Sequence, residues 1–182
     1  METLFLIKKG AGNISSAECL KLNSDSPEQT QLLGSYLGEI AQKADVFLLV
    51  GELGAGKTCL VQGIARGLNV EEYAFSPSFV ILREYHGRLP LYHIDFYRLN
   101  NIEEIAALGL EEYFHGDGVC VIEWAENGPY VVPRDNLLIT IHYTPASETG
   151  RLIWLKPQGE HYYELVRQLK KKEDIEALYT KC

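Results

Sequence analysis

The sequence predicts an α/β fold: a mixed, mostly parallel sheet with helices on both faces and one antiparallel hairpin. Three observations predict it. VFLLV (46–50) and VCVIE (119–123) are apolar nearly throughout and partly β-branched, the composition of strands buried on both faces. Segments of strand and helix periodicity alternate along the chain. FVILREY and LPLYHID flank His86-Gly87-Arg88, which reads as a hairpin.

The elements follow in order. LFLI (4–7) and ECLKL (18–22) each suggest a short strand, with GAGNISS (10–16) as loop between them. In SPEQTQLLGSYLGEIAQKA, Ser26 suits an N-cap, Pro27 the first helical position, and Gln29 completes a capping box. Leu33, Tyr36, Leu37, Ile40 and Ala44 then recur on one helical face. VFLLV is a central strand, GELGAG a loop, and a helix runs from about Lys57 to Leu68. After the hairpin, Asn100 or Asn101 caps a helix to about Leu108, with Gly109 as its stop. VCVIE is the second central strand. NLLITIHY and RLIWL are later strands separated by PASETG, and one or two helices begin at about Glu160. The 182 residues fit one domain, with 1–18 an N-terminal extension and 157–182 a C-terminal helical tail.

Composition narrows the function. At 46% hydrophobic and 23% charged, the chain has the make-up of an ordinary soluble domain. No apolar run approaches the roughly 20 residues of a membrane span. The basic residues of METLFLIKKG follow its apolar run, the reverse of a secretory signal, so a cytoplasmic location is expected. Cys19, Cys59, Cys120 and Cys182 form no C-x-x-C pair and no zinc spacing, so reduced thiols are expected. A net charge of −8 argues against an independent grip on nucleic acid.

GELGAGKT (51–58) matches G-x-x-x-x-G-K-[ST], leaves an apolar strand and opens a helix. Each part has a physical task. Gly51, Gly54 and Gly56 let backbone N–H groups approach phosphate oxygens without Cβ clashes. The helix N-terminus adds partial positive charge. Lys57 supplies a point charge for the terminal phosphates, and the Thr58 hydroxyl suits Mg²⁺. Ala55 and Cys59 complete the run of residues assigned to the nucleotide. The expected class is therefore a P-loop NTPase fold binding a nucleoside triphosphate and Mg²⁺.

Such a fold needs an acid at the end of a second buried strand, beside the metal. VCVIE ends in Glu123 and LYHID ends in Asp95. The first run is apolar throughout; the second alternates, carries His93 and follows Pro90, which puts it nearer a sheet edge. On pattern alone Glu123 is the metal-side acid. Asp95 is left for another task, such as orienting the attacking water, or for capping the turn after its strand. The chain lacks N-K-x-D and D-x-x-G, which disfavours a GTPase. The arginines are scattered, and Arg83, Arg88 and Arg98 read as surface residues. A small-molecule or nucleotide kinase, and a nucleotide-gated assembly module, remain the alternatives to an ATP hydrolase.

In the order GELGAGKT, SPSF, LYHIDFYRL and VIEW, the chain resembles the TsaE (YjeE) family of small bacterial ATPases, from about Cys19 to Leu155. The resemblance implies an ATPase that is weak alone and works with TsaB and TsaD proteins. The reaction it supports is threonylcarbamoyl modification of the adenosine beside the tRNA anticodon, with tRNA met only through the complex. It also implies that Thr58 and Glu123 hold Mg²⁺ and that Asp95 serves turnover. Trp124 and Lys57 join the catalytic set, as does Ser78 in a switch-like segment. An N-terminal helix near the nucleotide puts Glu28 and Thr30 by the adenine. The family's S-P-T is Ser76-Pro77-Ser78 here, so the hydroxyl is kept and the methyl lost.

Overall fold

β2 (Val46–Val50) and β5 (Val119–Glu123) lie side by side in parallel near the middle of one sheet. Both coincide with the two apolar runs. The structure is a computed structural model and describes residues 19–78, 80–99, 101–144, 147–176 and 178. The remaining strands are β1 (Leu20–Ser24), β3 (Leu82–Tyr85), β4 (Leu91–Asp95), β6 (Asn136–Tyr143) and β7 (Arg151–Gln158). The strand order is β1-β7-β6-β2-β5-β4-β3. The central run β6-β2-β5-β4 is parallel. β3 pairs antiparallel with β4 as the expected hairpin, and β7 runs antiparallel to both β6 and β1. The expected LFLI strand and the extension over 1–18 lie outside the described residues.

Helices cover both faces, which explains why β2 and β5 read as apolar throughout. Phe47, Leu49 and Val121 face one core, built with Leu33 and Leu37 of α1 (Pro27–Ile40), Leu60 and Ile64 of α2 (Lys57–Gly67), and Leu165 of α5 (Glu160–Lys170). Val46, Leu48, Cys120 and Ile122 face the other. That core is built with Ile105 of α3 (Ile102–Ala106), Phe114 of α4 (Glu111–Phe114) and Ala125 of a 3₁₀ turn (Ala125–Asn127). A short α6 (Glu173–Glu176) closes the fold. Cys120 lies wholly in this second core, where burial pushes its thiol up to about 12. Cys19, Cys59 and Cys120 are free thiols.

α1 and α2 touch through glycines. A Cβ on Gly34 would lie 2.4 Å from the Leu60 carbonyl oxygen, and one on Gly63 would lie 2.2 Å from that of Gln31. One turn further on, Gly38 and Gly67 repeat the contact against Ile64 and Ser35. Only residues without a side chain let the two backbones approach this closely.

Several boundaries differ from the sequence reading. α1 stops at Ile40, and Ala44 sits at φ 64 outside it. The physical reason is Arg88, which donates to the carbonyls of Gly38, Glu39 and Ala41 and so ends the helix from a distant turn. Gln29 accepts the Asp25 N–H at 2.7 Å, one residue earlier than the expected capping box. β7 runs on to Gln158, pairing Pro157 with Leu137 and Gln158 with Asn136, so 157–158 belong to the sheet rather than to a helical tail. Pro157 is tolerated because the pairing of β7 with β1 reaches only Leu155. Asn101, not Asn100, caps α3 through the Glu104 N–H at 2.8 Å, and Gly109 has φ 64. The helix is shorter than expected, ending at Ala106.

Candidate nucleotide site

The loop from Gly51 to Gly56 leaves the carboxyl end of β2 and turns into α2. Gly54 takes φ 76, and a Cβ there would lie 2.7 Å from the Tyr143 hydroxyl, so only glycine fits. Gly56 caps α2 with no side-chain bond, leaving the first-turn donors of the helix to a ligand. Lys57 is buried and donates to the loop's own carbonyls, Gly51 at 2.7 Å and Glu52 at 3.0 Å. Its ammonium lies 3.7 Å from the centre of the Trp124 ring. Burial pulls its pKa below the usual lysine range, while Glu123, Glu126 and Asp95 pull it the other way.

The two acids meet in register: Asp95 of β4 is the cross-strand partner of Glu123 of β5. Both are 2% exposed. Thr58 donates to the Glu123 carboxylate at 2.8 and 3.1 Å, and the His93 Nε2 lies 2.9 Å from its Oε1. The His93 Nδ1 is buried without a partner. An unprotonated Nδ1 and an Nε2–H aimed at the carboxylate are therefore the economical tautomer, since a buried N–H without an acceptor is the worse orphan. Asp95 is held differently. Its Oδ2 accepts from the hydroxyls of Ser76, at 2.6 Å, and Ser78, and its Oδ1 from the Tyr97 N–H at 2.8 Å.

Trp124 begins the 3₁₀ turn at φ 58, ψ 37, left-handed backbone that a bulky side chain rarely adopts. The kink turns its ring back over Lys57 and against Tyr97, at 4.8 Å between ring centres. This is the physical sense of a tryptophan straight after a strand-end acid.

These groups surround a cavity of about 450 Å³. Of the residues expected from sequence, Gly54, Gly56, Lys57, Thr58, Cys59, Ser78, Asp95, Glu123 and Trp124 line it. Gly51 and Ala55 do not line it, and Ala55 is fully buried. Glu28 and Thr30 lie outside the lining: Glu28 is exposed on the first turn of α1, and Thr30 is buried with its hydroxyl 2.8 Å from that of Ser24. Ser76, Tyr97 and Arg98 line the cavity without having been singled out for it. His93 was not assigned a role either. The one signal for it was its spacing, two residues before Asp95 and so on the same strand face. Glu126 is a further unassigned acid. Burial pushes its carboxyl up against the pull of Lys57 and of the Gly51 N–H.

The donor set fits Mg²⁺. Thr58 and Glu123 supply a hydroxyl and a carboxylate in mutual contact, and Mg²⁺ typically takes one or two protein oxygens and completes its shell with phosphates and water. Among the described residues, no group of three or more His, Cys, Asp or Glu is placed to hold a metal.

The loop, its lysine and the acid on the neighbouring parallel strand put the molecule in the P-loop NTPase fold class. Comparison with known proteins narrows this. The family model described as "Threonylcarbamoyl adenosine biosynthesis protein TsaE" matches residues 24–153, and the chain belongs to that family. It is similar to the tRNA threonylcarbamoyladenosine biosynthesis protein TsaE of Bacillus subtilis, 40% identical over 86% of this chain and 97% of the relative. The protein of the same description from Treponema pallidum is 42% identical over 65% of this chain and 87% of its own. The crystal structure of Bacillus subtilis YdiB superposes with a TM-score of 0.76 at 35% identity, covering 88% of this chain and 98% of that one. No described helix is long and apolar enough to cross a membrane.

Proposed function

We propose that this chain is a Mg-ATP hydrolase of tRNA threonylcarbamoyladenosine biosynthesis, weak alone and activated by TsaB- and TsaD-type partners in the cytoplasm. The observation that carries the reading is the Thr58–Glu123 contact at the mouth of a phosphate loop, in a chain of the TsaE family. In this reading the loop N–H groups bind the phosphates, and Lys57 exchanges the Gly51 and Glu52 carbonyls for terminal phosphate oxygens. Thr58 and Glu123 would hold Mg²⁺, which neutralises charge developing on the phosphates. Asp95 accepts a hydrogen bond from the attacking water at the carboxylate that Ser76 and Ser78 now occupy. Trp124 shields Lys57 from solvent.

Two observations support dependence on partners. A net charge of −8 repels tRNA phosphates, so a basic partner must stand between. Leu53 and Tyr97, which line the cavity, are 71% and 46% exposed apolar side chains. The decisive test is phosphate release from ATP with no added acceptor, alone and with the partner proteins, in wild type and Lys57→Ala. Slow release that rises with partners and vanishes in the variant, which stays folded, is the expected result. Transfer to an acceptor without free phosphate would favour a kinase instead.

A further inference from the structure

The phosphate loop is gripped from behind by the β6–β7 hairpin. Tyr143, the last residue of β6, donates its hydroxyl to the Leu53 carbonyl at 2.8 Å. Arg151, the first of β7, donates through Nε to the Ala55 carbonyl at 2.8 Å and through Nη2 to that of Gly54 at 3.3 Å. Its Nη1 takes the carbonyls of Glu148 at 2.9 Å and Gly150 at 2.8 Å, within the hairpin. The guanidinium rests 4.4 Å from the centre of the Tyr143 ring. Neither side chain lines the cavity. Three successive loop carbonyls are thus tied to one hairpin. β6 also backs the loop further up, where a Cβ on Gly51 would lie 2.5 Å from the Ile141 carbonyl oxygen.

The grip has a chemical consequence. In a planar trans peptide the C=O and the following N–H point in opposite directions. Holding the Leu53 and Ala55 carbonyls toward the hairpin therefore turns the Gly54 and Gly56 N–H groups away from it. The Ala55 N–H closes a turn on Glu52 at 3.1 Å. Glycines make this loop able to cradle an anion, and the same freedom lets its peptides flip and present carbonyls instead. A fixed orientation removes that competing state before a ligand arrives.

We propose that Tyr143 and Arg151 are positioning residues of the phosphate site: they lock the loop in its anion-binding orientation and so set affinity for nucleoside di- and triphosphates without touching them. The inference rests on the nucleotide-binding reading above. It is tested on the full chain by measuring ATP and ADP affinity and hydrogen exchange at the Ala55 amide, which the turn onto Glu52 protects, in wild type, Arg151→Lys and Tyr143→Phe. Lysine keeps the charge and loses the fork. Affinity for ATP and ADP should fall together by about 10–100-fold in Arg151→Lys, and by about 5-fold in Tyr143→Phe, the worth of charged and neutral hydrogen bonds. Exchange at the Ala55 amide should rise in both, with Ile139 in β6 unchanged, and KM should rise more than kcat falls. Wild-type affinity and exchange in both variants would overturn the proposal. So would a loss of affinity accompanied by faster exchange throughout β6, which marks mere unfolding. If the wild type binds neither nucleotide, the nucleotide reading fails, and loop exchange alone then decides whether the clamp exists.

Discussion

Asp95 and Glu123 end neighbouring parallel strands, pair in register and are equally buried, yet they are held by different kinds of structure. Glu123 is fixed by His93 from inside β4 and by Thr58 from the first turn of α2. Asp95 is fixed by the hydroxyls of Ser76 and Ser78, in the connection between α2 and β3, and by the backbone just after its own strand. The first acid cannot move unless the sheet or a helix moves. The second is re-aimed whenever a loop shifts. Burial and register are therefore poor guides to what a carboxylate does; the elements that carry its partners say more. Here they separate a static acid suited to a metal from an acid whose orientation can follow a switch.

The comparison can be broken or sharpened by four substitutions. Asp95→Asn should lower turnover about 1,000-fold, within the range of a lost general base, while Mg-ATP affinity stays nearly intact. Steady-state kinetics beside equilibrium nucleotide binding checks this, and an equal loss in both would erase the distinction. Glu123→Gln should instead raise the Mg²⁺ concentration for half-maximal nucleotide binding by about 100-fold, at least as much as losing a group that only supports a metal ligand. A Mg²⁺ titration against a fluorescent ATP analogue reads it directly, and an unchanged titration would take Glu123 out of the metal site. His93→Leu should shift the same titration about 10-fold, because Glu123 keeps Thr58 and loses its core donor. Ring ¹⁵N spectra of the wild type should show His93 as the Nε2–H tautomer; a protonated Nδ1 would contradict the geometry. Ser78→Ala comes last. Ser76 still reaches Asp95, so ATP-linked turnover should fall only about 5-fold, the worth of one neutral hydrogen bond, with ADP affinity unchanged. Equal losses with both nucleotides would reduce Ser78 to the end of a turn.

Local pattern was enough for β2, β5 and β6, whose bounds match the apolar and alternating runs, because burial acts on every residue of such strands. The phosphate loop was legible for a similar reason: its chemistry is contiguous. What escaped depends on distant parts of the chain. The end of α1 is set by Arg88, far along the sequence, and the run of β7 to Gln158 by the length of β6. His93 gains meaning only once β4 and β5 pair in the observed register and bring its ring to Glu123. The grip of Tyr143 and Arg151 on the loop appears only when β6 lies beside β2. At Thr30, helical position was visible but not the inward turn of the hydroxyl toward Ser24.

The four interlocked glycines of α1 and α2 act as a weld. Main chain touches main chain there, so these contacts themselves freeze no rotamers when the helices dock and hold no side chain that could absorb sliding. A single methyl at Gly34, Gly38, Gly63 or Gly67 would meet backbone atoms closer than 3.0 Å. The two helices must then travel as one rigid body, carrying the Ser26 cap and the Lys57-Thr58 corner together. Whatever displacement a nucleotide imposes on this molecule has to be taken up outside this helix pair.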